Sequence, residues 1–196
     1  SVGQFNNGLV AYYPFNENAN DASGYNNHGT VTSATPTTDR NGAASRAYSF
    51  DGVDDKIIVP SSSHYSTIAS MTISAWMYIH ADGSPAPDGH AGILDRTDGW
   101  AYLRTSFNGR PNFASNNPYL ETFSDTTLSR SEWHLLTATY DGNAKRIYID
   151  GALNKTHIVG AGKLNWGSSG FRIGLEGSPH LLHHFKGKLD DIRIYN

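Results

Sequence analysis

The chain contains no cysteine, which excludes a disulfide framework and any thiolate-bound metal. It contains no apolar run near the ~18 residues that a membrane-spanning helix requires, so membrane insertion by a helix is not expected. No basic excess is present: 15 Lys+Arg against 18 Asp+Glu give a formal net charge of −3, which argues against a nucleic-acid partner recruited by net charge. Glutamate is scarce, at Glu17, Glu121, Glu132 and Glu176, and no two of these lie within ten residues of each other. No Gly-x-Ser-x-Gly nucleophile motif, fixed-period repeat, interdomain linker or signal-peptide pattern is visible. Absence of disulfides is compatible with secretion without requiring it.

What remains is punctuated and aromatic. A length of 196 residues fits one domain spanning 1–196, and 11 Tyr with 4 Trp supply buried area despite an apolar fraction of 38%. Asp51-Gly52, Asp98-Gly99, Asn108-Gly109, Asp141-Gly142 and Asp150-Gly151 separate short alternating segments. These dipeptides tolerate the positive φ of tight hairpins, so their repetition signals antiparallel strands. Over 71–79, Met71, Ile73, Ala75, Met77 and Ile79 fall on one face and Thr72, Ser74, Trp76 and Tyr78 on the other. The expected fold is all-β: a two-sheet antiparallel jelly-roll sandwich of about a dozen strands with no long helix.

The charge is uneven. Residues 1–98 hold 10 Asp/Glu and 4 Lys/Arg, while 99–196 hold 8 and 11. In the last strand, strict alternation puts Asp190 on the core face with Ile192 and Ile194. An inward carboxylate needs a partner, and a hard cation fed by oxygens of the Asn16–Asn27 loop is one solution. The alternative is that Asp21 caps the turn Asp21–Gly24 and Asp190 pairs with a cation such as Arg172. Local density of sugar-binding chemistry (flat rings beside guanidinium, amide and carboxylate groups) runs from Asp95 through Arg96, Trp100, Tyr102 and Arg104 to Asn116 and Tyr119, with His180 as an opposite wall. Trp76 and Trp133 are expected in the core. His180, His183 and His184 would converge on zinc only from a helix, and their flanks read as strand and loop.

Five blocks carry a family resemblance. Leu9-Val10-Ala11-Tyr12-Tyr13-Pro14-Phe15-Asn16 with Ala19–Gly24 opens it, followed by Tyr48–Asp55, Thr72–Trp76, Glu132-Trp133-His134, and Phe185–Tyr195. In this order the chain resembles laminin-G-like (concanavalin A-like) jelly-roll domains over about residues 8–195. The resemblance implies a non-catalytic carbohydrate-binding module of a secreted or cell-surface multidomain protein, taking a poly- or oligosaccharide. A laminin-G/pentraxin-type protein-interaction or adhesion domain is the alternative. It further implies a structural calcium ion (Ca2+) at Asp21, Asp51, Gly52 and Asp190. Related glucanases carry a Glu-x-Asp-x-x-Glu strand, and no glutamate here begins that pattern, so no catalytic residue is assigned.

Overall fold

The computed structural model describes residues 7–67, 69–83, 89–98, 101–106, 108–115, 120–162, 167–178 and 181–196. Seventeen strands follow in chain order: β1 Leu9–Tyr13, β2 Thr30–Thr32, β3 Thr35–Thr37, β4 Ala47–Asp51, β5 Lys56–Val59, β6 Met71–Ile79, β7 Ala91–Arg96, β8 Ala101–Thr105, β9 Pro111–Ser115, β10 Leu120–Phe123, β11 Trp133–Tyr140, β12 Ala144–Ile149, β13 Ala152–Ile158, β14 Phe171–Ile173, β15 Leu175–Ser178, β16 Leu181–His184 and β17 Lys186–Tyr195. The one helical element described is a 3-10 turn, Ser63–Thr67. No helix among the described residues is long and apolar enough to cross a membrane.

Two antiparallel sheets form the sandwich. The first runs β13-β12-β11-β6-β17-β4-β3, with β1 also on β17; the second runs β10-β9-β8-β7-β14-β5-β2. The inner faces meet in a core built by alternation: Ile73, Ala75 and Met77 of β6, Leu136 and Ala138 of β11 and Ile192 and Ile194 of β17 oppose Ile57, Leu103, Phe113, Phe171 and Ile173. Tyr13, Tyr65 and Phe171 pack edge-on or tilted inside, with centroids 5.6 to 5.9 Å apart.

The turn chemistry is as the sequence indicates. Asp150 and Gly151 join β12 to β13 with φ of 52° and 81°, the pair of positive values that a two-residue hairpin turn uses. The hairpin β15–β16 stands outside both sheets, with Glu176 opposite His183 and Leu175 opposite His184. It lies against β7. A Cβ placed on Gly92 would sit 2.2 Å from the Glu176 backbone nitrogen, so only glycine admits the hairpin at this depth.

β17 is the hub of the first sheet. β6 flanks its whole length, while on the other edge β4 pairs with Lys186–Leu189 and β1 with Ile192–Tyr195. Between β4 and β1, Asp190 and Asp191 meet neither strand. The four β17 residues from Asp190 to Arg193 face the three on β6 from Trp76 to Ser74, and Asp191 takes φ 50°. This is a β-bulge, and one extra residue turns every later side chain to the opposite face.

Candidate ligand-binding faces

The outer face of the second sheet carries the residues that the sequence brings forward. Cross-strand register aligns Arg172, Asp95, Tyr102, Ala114 and Glu121 in one row. Asp95 forms an ion pair with Arg172 and accepts the Gly177 N–H at 3.2 Å. Burial pushes its carboxyl up to about 7, against the pull of Arg172. The Tyr102 hydroxyl donates to Glu121 at 2.8 Å, and the Arg104 guanidinium lies 4.4 Å from the Tyr102 ring centroid. Arg104 donates to Glu121 at 2.8 Å and to Glu176 at 3.0 Å, and Glu176 pairs with His183. Arg96 binds Asp98, Nε to Oδ1 2.6 Å.

These residues form neighbouring ion-paired groups, and the four the sequence brought forward are interior. Asp95, Tyr102, Arg104 and Arg96 are 0%, 4%, 6% and 7% exposed. The expectation of a displayed sugar site at these four residues is therefore corrected. The β15–β16 hairpin lies over the row and supplies Glu176, and the polar groups neutralise one another beneath it. Trp100, Asn116, Tyr119 and His180 lie outside the described residues.

The parity reading of β17 is also corrected. Because the bulge intervenes, Ile192 and Ile194 face the core while Asp190 faces outward beside Trp76. Arg40 covers Asp190 and pairs with it, reaches Asp191 at 3.3 Å, and stacks 4.8 Å from the Trp76 ring centroid. The cation partner is thus Arg40, not Arg172. Burial raises the Asp190 carboxyl to about 6, with Arg40 pulling it down and Asp191 and Asp39 pushing it up.

The four residues implied as calcium ligands do not converge. Asp51 lies opposite Lys186 at one end of β17. Asp21 accepts the N–H of Tyr12 at 3.0 Å, and Tyr12 lies opposite Arg193 near the other end. Seven strand residues separate these points by roughly 20 Å, whereas oxygens on one calcium ion lie within about 5 Å of one another. Asp21 also accepts from Ser23 N–H, Ser23 Oγ and Asn27 N–H at 2.9, 2.8 and 3.0 Å, so it caps its own loop. Asp51 instead gathers with Asp54 and Asp55, one oxygen from each lying within 4.8 Å of the others. Burial raises Asp55, an N–H from Asp51 lowers it, and the Asp51 and Asp54 charges raise it further. That all-oxygen set next to Gly52 fits a hard cation; Asp21 and Asp190 do not belong to it.

The outer face of the first sheet holds what sequence reasoning missed. Trp133 lies opposite Tyr78, and Tyr78 opposite Lys188. The two rings are 5.8 Å apart, with the Lys188 ammonium 5.3 Å from Tyr78. Trp76 and Arg40 come next, then Arg193, 4.6 Å from the Tyr12 ring. Trp76, Tyr78, Trp133 and Tyr12 are all half-buried, so the core placement of Trp76 and Trp133 is overturned. At the Tyr12 end a cleft of about 330 Å3 opens, lined by Asn16, Asp39, Arg40, Arg46, Asp190 and Asp191 among others. The signal was present: alternation in 71–79 put Trp76 with Tyr78 on the face away from the core.

Residues 51–196 match the family model described as the concanavalin A-like lectin/glucanases superfamily. The chain belongs to that superfamily. Among solved structures, this superfamily member is similar to domain 4 of AbnA, an extracellular arabinanase from Geobacillus stearothermophilus solved with arabinotriose. The TM-score is 0.74 at 18% identity, covering 96% of this chain and 92% of that one. It is also similar to the binding domain of Paraclostridial Mosquitocidal Protein 1 (TM-score 0.78, 17% identity, 98% of this chain and 49% of that). A botulinum neurotoxin type C structure, whose cell entry depends on interaction with two ganglioside molecules, gives TM-score 0.71 at 18% identity, covering 100% and 49%. The chain therefore spans about half of those toxin chains. No curated protein matches it in sequence.

Proposed function

We propose that this protein is a non-catalytic carbohydrate-binding module of an extracellular or cell-surface multidomain protein. In this reading a poly- or oligosaccharide lies across Trp133, Tyr78 and Trp76 and into the cleft beside Arg40. The observation that carries the reading is the contiguous row of half-exposed rings leading into a cleft of amide, guanidinium and carboxylate groups. Ring faces suit the CH surfaces of pyranoses and furanoses, and the planar polar groups suit their hydroxyls. The arabinotriose and ganglioside ligands of the structural neighbours support the same class.

The glutamates support binding without turnover. Glu121 and Glu176 share the Arg104 guanidinium. Burial pushes Glu176 up, but His183 and Arg104 outweigh it and hold the carboxyl below its usual range, the wrong direction for a general acid. Calcium belongs to the proposal at a revised place, the Asp51–Asp55 turn, where it would neutralise three carboxylates and fix the β4–β5 connection.

The test is a glycan array of the wild type and W76A, run with calcium and with chelator, beside thermal melts in both conditions. Wild type should retain a defined glycan class, W76A should bind it about tenfold or more weakly, and calcium should raise the melting temperature. A folded W76A with unchanged glycan affinity would remove the proposed face. Capture of a protein ligand with no glycan bound would replace the function with adhesion. Identical melts with calcium and chelator would remove the ion.

A further inference from the structure

We infer that His90, Glu176 and His183 form a binding site for a first-row transition metal of the zinc class. Glu176 and His183 are cross-strand partners on the β15–β16 hairpin, so their side chains emerge side by side on one face. His90 immediately precedes β7, the strand on which the hairpin rests. One nitrogen from each imidazole and one oxygen of Glu176 all lie within 4.8 Å of one another. The two rings stand 5.2 Å apart and near-perpendicular, at 68°.

The donor set selects the metal. Two neutral imidazoles with one carboxylate suit zinc, cobalt, nickel or copper, whereas calcium requires six to eight oxygens. Tetrahedral ligands at ~2.1 Å from a metal are about 3.4 Å apart. The three donors lie within 4.8 Å of one another, with His183 Nδ1 and Glu176 Oε2 in hydrogen-bond contact, so an ion would take its place by side-chain rotation that opens that contact and draws His90 in. Glu176 and His183 are 6% and 4% exposed, a setting that favours coordination over hydration.

The surrounding groups hold this set in place. Arg104 donates to Glu176 Oε2 at 3.0 Å, fixing the carboxylate plane in the way that outer hydrogen bonds orient ligating carboxylates. The Arg104 charge is matched by Glu121 at 2.8 Å, so Arg104, Glu121 and Glu176 together carry one net negative charge and a divalent cation is not repelled. Three protein ligands leave one coordination position open for water or an exogenous oxygen. The site lies outside the second sheet, on the opposite side of the sandwich from the aromatic row, and does not depend on the sugar reading. It also differs from the sequence-local trio His180, His183 and His184: it keeps His183 and takes its other two ligands from His90 and Glu176, 93 and 7 positions upstream of His183.

The test is calorimetric titration of the chelator-treated full chain with zinc and with cobalt, followed by the visible cobalt spectrum. Wild type should bind one zinc per chain, show the intense visible bands of low-coordinate cobalt, and melt at higher temperature with zinc. H90Q and H183Q should each weaken zinc binding about tenfold or more and abolish the zinc-dependent melting shift, while H64Q, remote from the site, should not. H90Q changes a half-buried side chain before the strand, so it keeps the test decisive should H183Q fail to fold. Absence of zinc binding by the wild type, or a folded H90Q that binds zinc as the wild type does, would overturn the assignment.

Discussion

Replacing Lys145 with methionine should stabilise the protein at neutral pH, and the gain should disappear in alkali. Lys145 on β12 is 0% exposed. Its ammonium donates to the Leu120 carbonyl at 2.7 Å and lies 5.0 Å from the Phe113 ring centroid. Burial pulls the amine down to about 8, with Glu121 restoring only part of the loss. The folded pKa is therefore below the unfolded one, so between pH 8 and 10.5 the unfolded chain holds a proton that the folded chain has released. Stability rises with pH across that window, and below it the whole cost of the buried charge is present. The fall from 10.5 to about 8 corresponds to roughly 3 kcal/mol. Methionine fills a similar volume without charge. It leaves the Leu120 carbonyl without its donor, a loss of about 1 kcal/mol, so K145M should gain about 2 kcal/mol at pH 7. At pH 10 most of the charge cost has gone from the wild type as well, and the difference should fall to near zero. Urea unfolding of both proteins at the two pH values measures this. A variant less stable at pH 7, or an advantage equal at both pH values, would refute the reasoning.

Two further perturbations probe the bulge and the hairpin. The raised Asp190 pKa means that its contribution to stability is fully present below about pH 4 and lost as pH rises through 6, a change of about 3 kcal/mol. D190N should flatten that part of the stability profile, and parallel wild-type and D190N curves between pH 4 and 7 would contradict it. G92A forces a Cβ to 2.2 Å from the Glu176 nitrogen, which should cost about 3 kcal/mol or more and lift β15–β16 from β7. Thermal melting and limited proteolysis around residues 175–184 report this, and a wild-type melt would show that the hairpin is not seated as described.

The sandwich was legible because period-2 alternation and turn dipeptides are local signals. Met71 to Ile79 announces both faces of β6, and Asp141-Gly142 and Asp150-Gly151 announce the β11–β12–β13 meander. The bulge at Asp190–Asp191 was not legible. A one-residue slip leaves the composition of the strand unchanged, and its trace is a positive φ that aspartate tolerates. Arg40 could not be matched to Asp190 either, since 150 residues separate them and nothing local links them. Tyr102 and Arg104 were correctly grouped on one face, yet a row of polar side chains reads the same whether open or roofed. What covers it, the Glu176 hairpin over Gly92, depends on tertiary docking. Trp76 shows the converse: alternation had its direction right, and the habit of assigning tryptophan to cores had it wrong.

Because β17 is shared by β6, β4 and β1, the first sheet has no central member until residues 186–195 exist. During synthesis on the ribosome, three earlier strands must wait with unsatisfied edges for the last one to emerge, a long-range closure of the kind that slows assembly and exposes a nascent chain to self-association.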